Sequence, residues 1–194
     1  TDANGNYQGQ TSEGTYTVSQ QAIPYLDQVC PFAGDYSFSG PSSGQLQTGL
    51  DFGNIVDQDC IDLSIEEGNT GLNHCEQTLH LIHYCNQGTI DQDSVTVQIS
   101  LPAGSTVVSS SIPYTPLGGG QQMLFNIGSL DAGDCGTISF IDEIGCSVEE
   151  GTTLCYNYAI LPTADDCNTV NNYTTSCHTT DIVSNGNHKL VEAL

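Results

Sequence analysis

Basic residues are almost absent. One Lys and no Arg stand against 23 Asp and Glu in 194 residues, a net charge of −22. A chain so poor in cations cannot neutralise phosphates, which excludes nucleic acid as a partner. It also gains no attraction to an anionic membrane surface. No apolar run is long enough to span a bilayer. Trp is absent. Helical periodicity is nearly absent too, which argues against an α-rich fold. No N-terminal leader is visible and the chain opens in mid-pattern at Thr1, so an internal or processed piece of a longer secreted protein is expected.

Cysteine, by contrast, is abundant: nine residues, none in a Cys-x-x-Cys pair. These spacings fit no zinc ribbon or finger. Disulfides formed in an oxidising compartment account for them better. The count is odd, so at least one thiol is free or joins another chain. Sequence does not fix connectivity, but three local closures are expected: Cys60 with Cys85 across a hairpin, Cys146 with Cys155 across a turn, and Cys167 with Cys177 around the last loop. Cys75 and Cys85 should not pair with each other, because an extended ten-residue strand spans about 33 Å. Cys30, Cys75 and Cys135 remain, and Cys30 is the expected unpaired or interchain thiol.

Period-two alternation runs through most of the chain. In Ser94–Leu101, Val95, Val97, Ile99 and Leu101 share one face, the mark of an antiparallel sheet with one wet side. Leu154, Tyr156, Tyr158 and Ile160 repeat the pattern, as do Ile138 and Phe140. Leu79–Cys85 is apolar on both sides and is expected to be central. Turn-forming clusters at 67–73, 86–88, 102–104, 113–120, 131–136, 147–151 and 162–168 separate these runs. The spacing predicts an all-β fold, with an Ig-like β-sandwich of Greek-key type over residues 57–180. Residues 1–54 differ. Asn4-Gly5-Asn6-Tyr7 is a hairpin signal, Gly14-Thr15-Tyr16-Thr17-Val18 is a strand, and Asp51-Phe52-Gly53-Asn54 closes the segment. These are too few strands for a sandwich by themselves, so the first domain is expected to be incomplete. Residues 181–194 form a linker or a donor strand.

Three motifs in order, Thr1-Asp2-Ala3-Asn4-Gly5-Asn6-Tyr7, Gly14-Thr15-Tyr16-Thr17-Val18 and Asp51-Phe52-Gly53-Asn54, resemble the C-terminal half of the B-type, prealbumin-like repeat domains of bacterial surface adhesins. The internal isopeptide bond of many such domains does not carry over, since the only lysine, Lys189, lies outside the segment. The second unit resembles a conserved repeat domain of unknown function found in tandem on bacterial surface proteins. The residues concerned are Tyr84-Cys85-Asn86-Gln87-Gly88, Leu101-Pro102-Ala103-Gly104, Gly128–Gly133 and Asn171-Asn172-Tyr173-Thr174. Its extra cysteines resemble versions from Bacteroidota. The tail His188–Leu194 resembles the stretch before a type IX secretion sorting domain, although the opening Tyr-Pro-Asn-Pro of such a domain is missing. The resemblances imply two tandem sandwiches, export to the cell surface and an extracellular location.

Catalytic chemistry finds little footing. Ser42-Ser43-Gly44 and Ser109-Ser110-Ser111 read as loop and strand serines, and the disulfides consume the cysteines a thiol nucleophile would need. Glu66-Glu67, Glu149-Glu150 and Asp165-Asp166 sit in turns and read as solvated surface. No enzyme activity and no catalytic residue is expected. His74, His80 and His83 lie near Cys75 and Cys85, but His80 and His83 differ by three in a strand and face opposite ways. One core and one surface histidine is the reading, not a zinc site. The acidic excess leaves a solubilising surface or Ca²⁺ binding. Calcium candidates are Asp57, Asp59 and Asp62, then Asp91 and Asp93, then Asp165, Asp166 and Asn168, with Asp57, Asp59, Asp165 and Asp166 foremost. Asp93-Ser94-Val95 resembles a short Bacteroidota O-glycosylation motif on Ser94. The expected role is a secreted structural or adhesive module of a stalk or filament, whose partners are neighbouring domains or identical subunits. The alternative is a monomeric glycan- or protein-binding module, for which Tyr114 is the one good exposed aromatic.

Overall fold

The computed structural model describes residues 5–40, 47–69, 71–72 and 75–180. Asn4 of the hairpin signal, Ser42-Ser43-Gly44, His74 and the 181–194 tail with its linker, donor-strand and sorting readings lie outside the described residues. The chain divides into two units, Thr1–Asp59 and Cys60–Leu194.

The first unit contains β1 (Thr15–Ser19), β2 (Leu26–Cys30), β3 (Asp35–Ser39) and β4 (Gly53–Val56). They form two separate two-stranded sheets, β1 with β3 and β2 with β4, both antiparallel. Alternation places Tyr16 opposite Phe38 and Val18 opposite Tyr36 on one face of the first sheet. Around them Tyr36 makes an edge contact with Phe52 at 5.4 Å and donates its hydroxyl to the Asp51 carbonyl at 2.8 Å. Yet none of the described residues 5–59 is fully buried. Two expectations change. Residues 6–12 contain no strand, so the hairpin signal at 4–7 has nothing to join. Asp51-Phe52-Gly53-Asn54 does not close the segment, because Gly53 and Asn54 open β4, which pairs back onto β2.

The second unit carries β5 (Leu63–Asn69), β6 (Gln77–Asn86), β7 (Gln92–Ser100), β8 (Ser105–Ser110), β9 (Thr115–Leu117), β10 (Gln122–Leu130), β11 (Cys135–Ile144), β12 (Thr153–Leu161) and β13 (Tyr173–Thr179). One sheet runs β5-β6-β11-β8 and the other β13-β12-β7-β10-β9. The chain alternates between sheets, so most neighbours within a sheet are distant in sequence. The inward positions predicted by alternation form the core: Val95, Val97 and Ile99 of β7, Ile138 and Phe140 of β11, and Leu154, Tyr156, Tyr158 and Ile160 of β12, joined by Ile144 at the end of β11. Leu63, Ile82, Met123 and Phe125 complete it. The expected turn at 67–73 starts later, since Glu67, Gly68 and Asn69 still pair in β5. β6 is central, between β5 and β11. Only one of its faces is covered, however, and Leu79 and Leu81 face outward, 36% and 48% exposed. Opposite Tyr84, Gly136 has no side chain because the tyrosine ring occupies the space a Cβ would need. That is a close-approach use of glycine in a strand.

Candidate functional site

Three features of the second unit carry chemistry: a sealed charged cluster, four disulfides and an open polar groove. The cluster arises because inward positions of β5, β6 and β11 hold Glu67, His80 and Asp142 where alternation would place apolar residues. His80 sits between two carboxylates, with Nδ1 3.1 Å from Glu67 Oε1 and Nε2 3.1 Å from Asp142 Oδ1. Ser105 Oγ and Tyr156 Oη both donate to Asp142 Oδ2, the latter at 2.6 Å. The Tyr158 hydroxyl approaches His80 Nδ1 at 3.3 Å. Phe140 stacks flat on the imidazole at 4.4 Å. The side chains of His80 and Asp142 have no exposure, and that of Glu67 has 4%.

Burial opposes charge on each of these groups, and the hydrogen bonds overcome it. Burial pulls the His80 pKa down, but Asp142 and Glu67 hold it above the usual histidine value. Burial raises Asp142, but His80, Ser105 and Tyr156 bring it below the carboxylate range. Glu67 is likewise lowered against its burial, through His80, Asn69 and Ser176. Tyr156 and Tyr158 are pushed far up, by burial first and then by the neighbouring carboxylates. The buried cluster thus sets His80 between two carboxylates and, through Tyr156 and Tyr158 of β12, ties the two sheets together. Asn69 extends it outward, donating to Glu67 Oε1 at 3.0 Å and lying 2.7 Å from His178 Nε2. Ser176 Oγ is 2.6 Å from the same nitrogen. Among the described residues no group orients Nδ1 of His178, so the pair has no third member of a triad there.

The placement corrects one expectation and locates another. Glu67 is not a solvated turn residue, because its inward phase in β5 delivers it to His80. His80 lies in the core and His83 on the exposed face. The Asp142 signal was present in the sequence: it falls in phase with Ile138, Phe140 and Ile144 along a single strand.

The disulfides are Cys60–Cys167, Cys75–Cys146, Cys85–Cys135 and Cys155–Cys177, with Cys30 free and exposed. None of the three local closures occurs. The β5–β6 register sets Ser64, not Cys60, opposite Cys85, and β11 brings Cys135 opposite it from the other side. Cys146 and Cys155 flank a turn that leaves one sheet and enters the other, so the thickness of the sandwich separates them. Cys177 faces Cys155 directly across β12 and β13. Cys167 instead reaches the entrance to β5, where its amide donates to the Ile61 carbonyl at 2.9 Å. His83 lies near Cys85 and Cys135, its Nε2 3.3 Å from Cys85 Sγ. This is the only grouping of three metal-ligating side chains among the described residues. Its two sulfurs are bonded to each other, so a disulfide stands where a metal would need thiolates.

The calcium candidates divide between the units, Asp57 and Asp59 in the first and Asp165 and Asp166 in the second. Among the described residues no three carboxylates converge. Asp166 accepts from the Leu63 amide and Asn172 Nδ2, both at 2.9 Å, and from the Asn168 amide at 2.8 Å. Asp62 is buried and accepts from Asn171 Nδ2 at 2.8 Å, and Asp91 accepts from the Ala132 amide at 2.8 Å. Asp166 thus pins its loop to β5, while Asp62 and Asp91 pin loops to one another. Gly40-Pro41-Ser42-Ser43-Gly44 does have the spacing of a nucleophile elbow, a motif that needs a strand-to-helix turn. Residues 41–46 lie outside the described residues, and no α-helix occurs among the described ones.

The groove, about 850 Å³, opens on the outer face of the five-stranded sheet. Asp93, Ser94 and Thr96 of β7, Leu124, Asn126, Gly128 and Ser129 of β10, and the 113–115 segment with Tyr114 form its walls.

Neither a family model nor a curated protein matches the sequence. Among solved structures, the CARDB domain of a Pyrococcus furiosus protein is 15% identical, over 64% of this chain and 98% of that one, with a TM-score of 0.46. The bacterial hydrophobin BslA is 15% identical over 63% and 96%, with a TM-score of 0.41. AvmM, which catalyses macrocyclisation in alchivemycin A biosynthesis, is 8% identical over 64% and 90%, with a TM-score of 0.36. Scores this low carry no argument about function. The all-β fold stands on the chain's own strands, and the four disulfides suit an oxidising, extracellular environment.

Proposed function

We propose that this chain is a secreted cell-surface structural or adhesive module, a stalk segment or subunit of a large adhesin or extracellular filament of the Bacteroidota type. The contrast between the two units supports the reading. The second is a cross-linked sandwich with a continuous core. The first has aromatic and β-branched residues on short strands, yet none of its described residues is fully buried. Isolated two-stranded sheets are marginal in water. Their open edges and half-covered Tyr16, Val18, Tyr36 and Phe38 are what strands from a neighbouring domain or an identical subunit would complete. The exposed Cys30 thiol, at the end of β2, is placed to lock such a contact covalently. Ser94, exposed on β7, is a position for an O-linked glycan, and export by a type IX route belongs to the same reading.

Amide hydrogen exchange tests it. In the isolated chain β1–β4 should exchange rapidly while β5–β13 stay protected. In the same protein assembled on its native surface, β1–β4 should become protected. Equal exchange of β1–β4 in both states would overturn the proposal.

A further inference from the structure

The geometry points to a binding site for a neutral saccharide in the groove between β7, β9 and β10. The groove is built by the backbone. Val95, Val97, Met123 and Phe125 point inward and are buried, so Thr96, Leu124 and Asn126 must face out. The β7–β10 ladder is then broken twice, on either side of Gly128. Across this irregularity Gly128 adopts φ +88° and Ser94 φ +60°. A non-glycine residue in that region is uncommon, and bulges re-aim side chains and curve a strand. Here they turn Ser94 and Ser129 toward the concavity that Asn126 and Asp93 already border.

The wall chemistry selects the ligand. Tyr114 is not the exposed aromatic expected from the sequence: it borders the groove, but its ring is half-buried and packs on the inward-facing Phe125, with ring centroids 5.7 Å apart, so the polar side chains carry the recognition. Among the described residues the side chains of Asp93, Asn126 and Ser129 have no hydrogen-bond partner, so their donors and acceptors remain available to hydroxyls. The volume falls in the range of small-ligand sites. Asp93 within the groove and the net charge of −22 oppose uronic and sialic acids. The absence of any Lys or Arg from the walls removes the usual counter-ion for such sugars. This inference does not depend on polymerisation and stands or falls separately from the assembly reading.

The test is calorimetric titration of the intact, oxidised chain with cellohexaose, xylohexaose, mannohexaose and maltohexaose, with polygalacturonate as the acidic control. At least one neutral oligosaccharide should bind and polygalacturonate should not. Asn126→Ala, at an exposed position, should weaken binding by about three- to ten-fold. Asn126→Ala and Asp93→Ala, both at exposed positions, carry the decision. No binding of any neutral oligosaccharide at millimolar concentration would overturn the inference, as would affinity unchanged in Asn126→Ala and Asp93→Ala or preferential binding of polygalacturonate.

Discussion

Replacing His80 removes the imidazole that both buried carboxylates share and leaves Glu67 and Asp142 facing the core. Breaking a buried, hydrogen-bonded ion pair costs about 3–5 kcal/mol, since the surviving charge stays desolvated. Two carboxylates survive here, but Asn69 still serves Glu67, and Ser105 and Tyr156 still serve Asp142. The expected loss for His80→Ala at neutral pH is therefore about 3–5 kcal/mol, not twice that. For a unit of this size it lowers Tm by roughly 10–20 °C. His80→Phe keeps a ring against Phe140 and separates lost charge from lost volume; most of the deficit should persist. The pH dependence supplies the sharper check. His80 has a raised pKa, so its contribution is full below about pH 6.5 and is lost as pH rises through the folded value. Asp142 and Glu67 have lowered pKa values, so theirs is full above about pH 4 and is lost as pH falls through the folded values. The wild type should be most stable between these limits. In His80→Ala the unpaired carboxylates gain by protonation, so the deficit should shrink below about pH 5. Urea unfolding with disulfides intact, from pH 4 to 8, measures both. A deficit under about 1 kcal/mol, or one independent of pH, would refute the reasoning.

Removing Cys60–Cys167, which closes 107 residues, should cost more than removing Cys155–Cys177, which closes 22. Chain entropy gives about 4–5 against about 3 kcal/mol, compared by urea midpoints of the paired Cys→Ser variants. Asp166→Ala strips acceptors from the Leu63 and Asn168 amides and from Asn172, and should cost about 1–3 kcal/mol. Asp165→Ala, beside it, should change little, and equal losses in the two variants would contradict the assigned role. A maleimide applied to the native chain should label Cys30 alone, and peptide mapping that finds label at any other cysteine would contradict the disulfide map.

Much of the second unit was legible in the sequence because burial on one face leaves a period-two trace. β7 and β12 could be read residue by residue. The disulfides could not, because pairing depends on which strands become neighbours. A chain that alternates between two sheets puts Cys85 beside Cys135, 50 residues away, instead of beside the nearest hairpin partner. The charged cluster was hidden for a related reason. Glu67, His80 and Asp142 each look like ordinary polar residues until three strands bring them together, although Asp142 broke the apolar phase of its own strand. The groove depends on two ladder breaks around Gly128, which the glycine alone did not announce. In the first unit the short strands β1 and β3 follow the alternation, but nothing in residues 5–59 indicates what covers their aromatic face.

Negative-stain microscopy of the mature protein, released from its native surface without reductant, tests the assembly claim most directly. The account predicts ordered filaments or chains of beads, which Cys30→Ser shortens or loosens. Dispersed single particles at all concentrations, unchanged by reductant, would contradict it.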